Sequence, residues 1–432
     1  MHEPVQRPRR ADGDPEPLAV RKELDGAVLR HKPCPPARQM QQPLRIETVA
    51  PHHQRLLVPS DHDPVADGGG GLAVERHPVH HDHADEDRCP EEHNRMHGWE
   101  GTTTLLHPSS DEDKTQPVIE HDSGLRVQGM ALWLDATRSR DRSFVSHAHS
   151  DHAIRHRRII ASSPTARLYE HRLGRTLAET HAFHAPFEVD GALCRLLPAG
   201  HILGSSQILI EHKGRRIVYT GDCRMREGLT AEPISVEPCD VLVMECTFGR
   251  PHYVFPEPAE VARRLCRFIE GTWDEGLTPV LLAYALGKGQ EAMKLLGDRG
   301  YSCAVAEPIF RIARIYEEYG VRFGRYELLD PTLGAEGVRG HVVILPPHLR
   351  RSQILEDIGP CRTAMLTGWA MDRNCRFRYR VDEAIPLSDH ADFQELLALV
   401  RQATPKRVYT VHGFPEFAKH LRFLGYDADH LG

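Results

Sequence analysis

The stretch Ser143-Phe-Val-Ser-His-Ala-His-Ser-Asp-His152 puts three imidazoles and a carboxylate within six positions. These are the donors that divalent zinc accepts, and they follow directly on a β-like run. Alternation at a strand end turns His147 and His149 to one side. The turn that follows, expected to lead into a helix, presents Asp151 and His152 to a neighbouring point, so one segment can hold two cations. A chance HxH pair in a chain with 29 histidines is usually a surface feature, whereas the full HxHxDH pattern after an apolar strand is specific. His81-Asp-His83-Ala-Asp85 shares the HxHxD letters but has no apolar frame, and reads as a solvated His-rich segment.

One loop cannot complete two coordination spheres, so further donors must come from other strand ends. Three places supply them. Pro198-Ala-Gly-His201 follows an apolar run and opens a Gly204-Ser205-Ser206 turn, Tyr219-Thr-Gly-Asp222 ends another run, and Val411-His412-Gly413 ends a third. The glycine before Asp222 would let the backbone bend so that its carboxylate reaches both cations. Taken singly, His201, Asp222 and His412 are turn or capping residues; taken with the histidine loop, they read as ligands.

The elements expected to position these residues begin at about Ser123. Strands are expected at Ala131 to Leu134, Ser143 to Ser146, Cys194 to Leu197 and Val241 to Met244. A hairpin joins Gln207 to His212 with Arg215 to Thr220 through a Lys213-Gly214 turn. From Pro258 to Glu270, Val261, Leu265, Phe268 and Ile269 recur at helical spacing, and strand and helix candidates alternate to about Arg380. A helix from Phe393 to Gln402, a strand from Arg407 to Val411 and a helix from Pro415 to about Leu424 close the chain. This is a layered α/β pattern: a core over 123–250 and 381–432, interrupted by an inserted α/β domain over 251–380.

Residues 1–122 are rich in Pro, His, Arg, Asp and Glu and carry a GGGG run at Gly68 to Gly71. They read as a disordered tail, either a flexible interaction segment or the product of a start codon placed too far upstream. A balance of 54 Lys plus Arg against 61 Asp plus Glu, net -7, excludes a wholly basic nucleic-acid coat and confines any polyanion site to a local patch. MHEPVQRPRR lacks the apolar core of a secretory signal, and no run approaches a membrane span, so a cytoplasmic protein with no membrane partner is expected. The 10 cysteines form no CxxC pair, which points away from thiolate zinc fingers and disulfide frameworks.

Polyanion contacts have two candidates. Arg376, Arg378 and Arg380 alternate with Phe377 and Tyr379, so that in a strand three guanidiniums line one face and two aromatics the other, a track for a single strand. A charged edge strand protected against aggregation is the competing account. Lys288 lies in a glycine-flanked turn before a helix, where backbone N–H groups favour anions.

Together these residues resemble the metallo-β-lactamase fold and, within it, the β-CASP nucleases. Asp135 in LWLDA corresponds to the first motif of that fold, HAHSDH to the second, His201 to the third and Asp222 to the fourth. Glu245 in MECTFG, His390 in LSDHAD and His412 in TVHG are similar to three further β-CASP elements, and AYALGKGQEAMKLL is similar to the segment that opens the β-CASP domain. The resemblance is nearest to bacterial DNA ligase-associated exonucleases, relatives of mRNA 3′-end processing nucleases. Cys246 stands where Ser is usual, and Cys223 follows the bridging Asp; neither change removes a ligand.

The resemblance implies an αββα sandwich with an inserted β-CASP-like domain and two zinc ions, for which manganese or iron could substitute on the same donors. One ion would be held by His147, His149 and His201, the other by Asp151, His152 and His412, with Asp222 bridging and Asp135 orienting a ligand imidazole. An activated water would attack phosphorus, and His390, positioned by Glu245 or Asp389, would be the general acid. The implied function is a DNA exonuclease acting in repair, with a DNA ligase and a helicase as partners. An RNA 3′-end processing nuclease is the near alternative. A small-molecule ester, thioester or lactam hydrolase is the alternative of another class, disfavoured by the long insert between Glu245 and His390.

Overall fold

A computed structural model describes residues 119–431, and the histidine-rich tail motif at His81 lies outside them. The first sheet runs in the order β1 (Ile119–His121), β2 (Leu125–Val127), β3 (Trp133–Leu134), β4 (Arg142–Phe144), β5 (Arg158–Ala161) and β6 (Leu177–Thr180). β1 lies inside the stretch expected to be a disordered tail, with Ile119 buried and paired to Val127. Three residues are too few for alternation to register in the sequence. The loop after β4 does not lead into a helix as expected. His149 O accepts the amides of His152 and Ala153 in a single turn, and the chain re-enters the sheet as β5. A helix, α1 (Ser163–Leu173), starts only where Ser162 Oγ caps the Thr165 amide and a proline occupies the first turn.

The second sheet begins with β7 (Pro186–Val189), β8 (Ala192–Pro198), β9 (Ser206–His212), β10 (Arg215–Tyr219) and β11 (Val241–Cys246). β9 and β10 pair antiparallel about Lys213 and Gly214, both at positive φ, as the short hairpin turn requires. The chain then leaves to build a third sheet of β12 (Thr278–Leu282), β13 (Ser302–Val305), β14 (Tyr326–Leu328), β15 (His341–Leu345), β16 (Cys361–Leu366) and β17 (Glu383–Ile385), all parallel. Its order is β14-β13-β15-β12-β16-β17, so the insert runs past the boundary expected at 380 to include β17, another strand too short to announce itself. β18 (Arg407–Gly413) and β19 (Ala428–His430) return to the second sheet, whose order is β19-β18-β11-β10-β9-β8-β7.

In the insert, α2 (Pro258–Asp274), α3 (Lys288–Gly297) and α4 (Glu307–Glu318) cover one face of the third sheet through Val261, Leu265, Ala292, Leu296 and Ile309. The single-turn helices α5 (Gly334–Gly337) and α6 (Gln353–Asp357) and the short α7 (Cys375–Tyr379) follow, and α8 (Phe393–Ala403) and α9 (Glu416–Phe423) belong to the core.

Alternation builds the layers. Ile208, Ile210, Ile217, Tyr219 and Val243 face Leu134, Phe144 and Ile160 of the first sheet, while Leu209, Val218, Leu242 and Met244 face Phe393, Leu396 and Phe417 of α8 and α9. Tyr169 of α1 packs with Ile159 and Val145 on the outer side of the first sheet. The result is helix, sheet, sheet, helix, with the third sheet as an insert. Among the described residues no helix is long and apolar enough to cross a membrane, and the eight cysteines are free.

Two directional facts locate the site. β10, β11 and β18 are mutually parallel, and β8 is antiparallel to β9, which is antiparallel to β10, so β8, β10, β11 and β18 all end at one edge. Ala148, Leu168, Ile202 and Leu203 of the core share a buried cluster with Leu286, Ile312, Ile315 and Tyr316 of the insert, which seats the insert at that edge.

Candidate metal centre

Each of those four strands delivers one functional side chain: His201 after β8, Asp222 after β10, and Glu245 and His412 near the ends of β11 and β18. The loop after β4 arrives at the same place. His149 Nδ1 lies 3.1 Å from His147 Nε2 and 3.0 Å from His201 Nε2, and Asp222 Oδ2 lies 3.5 Å and 3.9 Å from the same nitrogens of His147 and His201. The outer nitrogens assign the tautomers. His149 Nε2 donates to the Leu286 carbonyl at 3.2 Å, and His201 Nδ1 donates to the Asp389 carbonyl at 2.9 Å. His147 Nδ1 is 3.0 Å from Ser146 Oγ, whose own proton goes to Asp135. Imidazoles so held turn three ring nitrogens towards one point. Burial, then the neighbouring His152 and His201, keeps His147 well below the ordinary histidine range, and burial followed by His390 brings His201 down to about 3.

A second group adjoins the first. His152 Nε2 lies 3.3 Å from Asp222 Oδ1 and 3.5 Å from Asp151 Oδ2, and the His412 ring centre is 4.8 Å from that of His152 at the solvent-facing rim. His152 Nδ1 is fixed by Asp135 Oδ2 at 2.7 Å; Asp135 in turn accepts from the Ser146 amide at 2.7 Å and the Tyr219 hydroxyl at 2.8 Å. His152 Nε2 and Asp222 Oδ1 face each other without hydrogen-bond geometry and have no hydrogen-bond partner elsewhere, a costly arrangement for buried polar atoms unless something else meets them. Burial opposes ionisation of Asp222, but His152 and then His390 outweigh it and hold its carboxyl well below the ordinary carboxylate range. Three nitrogens and a carboxylate around one point, and a nitrogen with two carboxylates around the next, are donor sets that suit divalent cations of the zinc type. Asp222 offers one oxygen to each group.

The backbone is bent to make this possible. Asp135 and His412 are held at φ 44 and 51, conformations that side chains adopt rarely and that gather at functional sites. Gly221 has φ 56, and a Cβ there would come within 2.5 Å of the Ser146 Cβ.

His390 sits behind Asp222, 5% exposed. Its Nδ1 is 3.1 Å from both oxygens of the fully buried Glu245; its Nε2 has no hydrogen-bond partner and lies 4.0 Å from Asp222 Oδ2 and 3.9 Å from Asp389 Oδ1. Burial opposes protonation, yet Glu245 and then Asp222 lift this histidine to about 10. Of the two carboxylates expected to position His390, Glu245 is the one that meets Nδ1.

Comparison with known proteins narrows the identity. The family model for the Zn-dependent metallo-hydrolase RNA specificity domain matches residues 376–430. A protein named "Probable DNA ligase" from Opitutus terrae is 42% identical over 318 residues, 73% of this chain and 31% of that one. An RNase J-like protein of Methanocaldococcus jannaschii is 29% identical over 183 residues, 37% and 44% of the two chains. Endoribonuclease YSH1 of Eremothecium gossypii is 32% identical over 123 residues, 28% of this chain and 16% of that one. The chain belongs to the β-CASP family of the metallo-β-lactamase fold. It spans less than half the length of each of these relatives.

Two residue groups of this β-CASP protein lie otherwise than expected. Arg376 and Arg378 are on the helix α7, and Arg380 caps it in the left-handed region at φ 51, so no strand alternates guanidiniums with aromatics. Cys375 and Tyr379, one helical turn apart, pack on the aromatic cluster of Phe248, Tyr253 and Trp369, which turns Arg376, Phe377 and Arg378 outward; Phe377 is 68% exposed. The patch gains a neighbour, because Arg350 Nη1 reaches the Arg380 carbonyl at 3.4 Å. Lys288 is no open anion receptor. It is buried in the first turn of α3, with Nζ 2.7 Å from Asp389 Oδ1.

Three supporting contacts had escaped the sequence reading. Tyr219 and Ser146 fix Asp135, the Leu286 carbonyl orients His149, and Cys246 Sγ donates to the His412 carbonyl at 2.9 Å. The last had a signal: a thiol in place of the usual serine keeps a donor at that position.

Proposed function

We propose that this β-CASP protein is a metal-dependent phosphodiesterase that shortens DNA from an end and works beside a DNA ligase. The observation that carries the hydrolytic reading is the junction of the two donor groups at Asp222, with His390 Nε2 aimed at that carboxylate. His147, His149 and His201 would hold one cation, Asp151, His152 and His412 the other, with Asp222 shared. When bound, two divalent cations supply the Lewis acidity that acidifies a water and screens phosphate charge.

The protein's own groups do the rest. Asp135 keeps the His152 proton on Nδ1 and so presents Nε2. Glu245 stabilises the imidazolium of His390, which stands ready to give its Nε2 proton to the departing oxygen. A phosphodiester backbone needs cationic contacts, and Arg350, Arg376, Arg378 and Arg380 supply a local set in a chain of net negative charge. DNA and a ligase are supported by the relative named "Probable DNA ligase", which carries a segment 42% identical to this chain within one longer polypeptide. RNA is the second reading, favoured by the names of the matched RNA specificity domain and of the RNase J-like and endoribonuclease relatives.

End-labelled DNA and RNA strands of one sequence, incubated with metal-analysed wild type and with Asp222→Asn, test this reading. DNA shortened by the wild type alone supports it. RNA turnover with DNA left intact moves the substrate to RNA. Lactam or thioester turnover without phosphodiester cleavage overturns it.

A further inference from the structure

Two of the three imidazoles in the first donor group lean on carbonyls from outside the histidine loop and its sheets. His149 Nε2 is held by Leu286, four residues beyond the end of β12, and His201 Nδ1 by Asp389, four residues beyond β17. The first carbonyl belongs to the insert, at the C-terminal edge of its parallel sheet, and the second to the segment that returns from the insert to the core, where the Ala391 amide meets the Cys223 carbonyl. Between them Lys288 Nζ meets Asp389 Oδ1 at 2.7 Å, with the two residues 4% and 3% exposed. Gly287, at φ 87, lets the loop come this close: a Cβ there would lie 2.5 Å from Ile202 Cγ2 and 3.0 Å from Asp389 Oδ2. Ala148 and Ile202, chain neighbours of the ligand candidates, are buried against Leu286, Ile312 and Tyr316.

The second donor group is built differently. His152 is oriented by Asp135, which is fixed by Ser146 and Tyr219, all residues of the core. The insert therefore touches the orienting contacts of one group and not those of the other.

We propose that Lys288 is a positioning residue, a latch between insert and core, and that the first cation is bound tightly only while this latch is closed. The inference rests on the metal-centre reading above. A buried ion pair contributes little net stability, but removing one partner leaves an uncompensated buried charge that the structure must relieve by moving. Here the group that loses its nearest cation would be Asp389, left with only the more distant His390 ring 3.9 Å away; its backbone carbonyl holds His201, next to the loop whose Leu286 carbonyl holds His149. A polymer that enters by lifting the insert would break the Lys288–Asp389 and His149–Leu286 contacts together, so closure and first-cation affinity are linked, and each must favour the other.

Zinc titration of the full-length, metal-free chain against a chromophoric chelator tests the latch. Wild type should take two equivalents. Lys288→Met should keep one with unchanged affinity and bind the other about 10- to 100-fold more weakly, as loss of an orienting contact does, while Lys288→Arg should restore most of that loss. Gly287→Ala, which displaces the same loop without changing charge, serves as the second variant and should weaken the same equivalent. Amide exchange across residues 284–290 should slow on zinc addition in wild type and not in Lys288→Met. Two equivalents of wild-type affinity in both variants overturn the latch alone, whereas a wild type that takes up no zinc overturns the metal centre with it.

Discussion

Glu245 grips His390 through both carboxylate oxygens, each 3.1 Å from Nδ1, with Glu245 itself fully buried. The pair joins two segments 145 residues apart, one at the end of a core strand and one just past the insert. A carboxylate so placed keeps the imidazole charged and turns its other nitrogen towards Asp222. Both residues lie outside the two donor groups that contain the histidine loop, so their removal should separate proton transfer from metal binding there.

His390→Ala should lower kcat by about 10²- to 10⁴-fold, the usual worth of a general acid, while zinc content stays at the wild-type level. Glu245→Gln should follow in the same direction. A phosphodiester with a p-nitrophenolate leaving group, which departs without protonation, should lose far less activity in His390→Ala. Steady-state kinetics on both substrates with metal analysis decide it; zinc lost in proportion to turnover would sink the general-acid role.

Asp222 offers Oδ2 to the first donor group and Oδ1 to the second. Its replacement by Asn should therefore disturb both cations. In calorimetric melting, zinc at about 100 times its dissociation constant should add about 2.7 kcal/mol per site to the wild type. Asp222→Asn should lose most of that gain for both sites, and a variant that responds like the wild type would remove the shared role.

The clustering of the histidine loop was legible because it is local: His147, His149, Asp151 and His152 lie in six positions after an apolar run. That His201 and Asp222 would reach that loop was legible for a different reason, since each follows a run whose alternation marks a strand; His412, also at a strand end, comes to lie beside the His152 ring but in neither donor group. The sandwich could be read from the same alternation. What sequence spacing misread was the stretch around Arg378, where five residues satisfy period 2 in their letters and a helical turn in their burial. Cys375 and Tyr379 settle the matter through a core contributed by Phe248 and Trp369, which local letters do not carry. Lys288 was misread similarly, because its partner Asp389 is 101 positions away in the chain. The Leu286 carbonyl could not be read at all, since a backbone atom leaves no mark in residue identity.

Asp135 collects donors from the Ser146 amide, the Ser146 and Tyr219 hydroxyls and His152. Asp135→Asn should free the His152 ring and weaken the second cation by about 10- to 100-fold, leaving the first nearly unchanged. Tyr219→Phe should be milder, costing about 0.5–1.5 kcal/mol of stability for one lost hydrogen bond. Chelator competition and denaturant unfolding read the two effects separately. An Asp135→Asn protein that binds both cations like the wild type would reduce Asp135 to a packing residue.

The exposed face of α7 offers the sharpest test of substrate contact, because charge and stacking leave different signatures. Arg376 and Arg378 flank Phe377, and the Arg376 guanidinium lies 5.0 Å from the Phe377 ring centre. If both guanidiniums meet phosphates, the double replacement by Gln should flatten the slope of log binding constant against log salt by about 1.4 for a single strand, about 0.7 per contact. Phe377→Ala should cost about 1–3 kcal/mol of binding through lost stacking and leave the slope alone. Fluorescence anisotropy with a labelled strand, measured on the Asp222→Asn background so that the strand survives, separates the two. Unchanged affinity and slope in both variants would make α7 an ordinary solvated helix and send the search for the strand's path to another face.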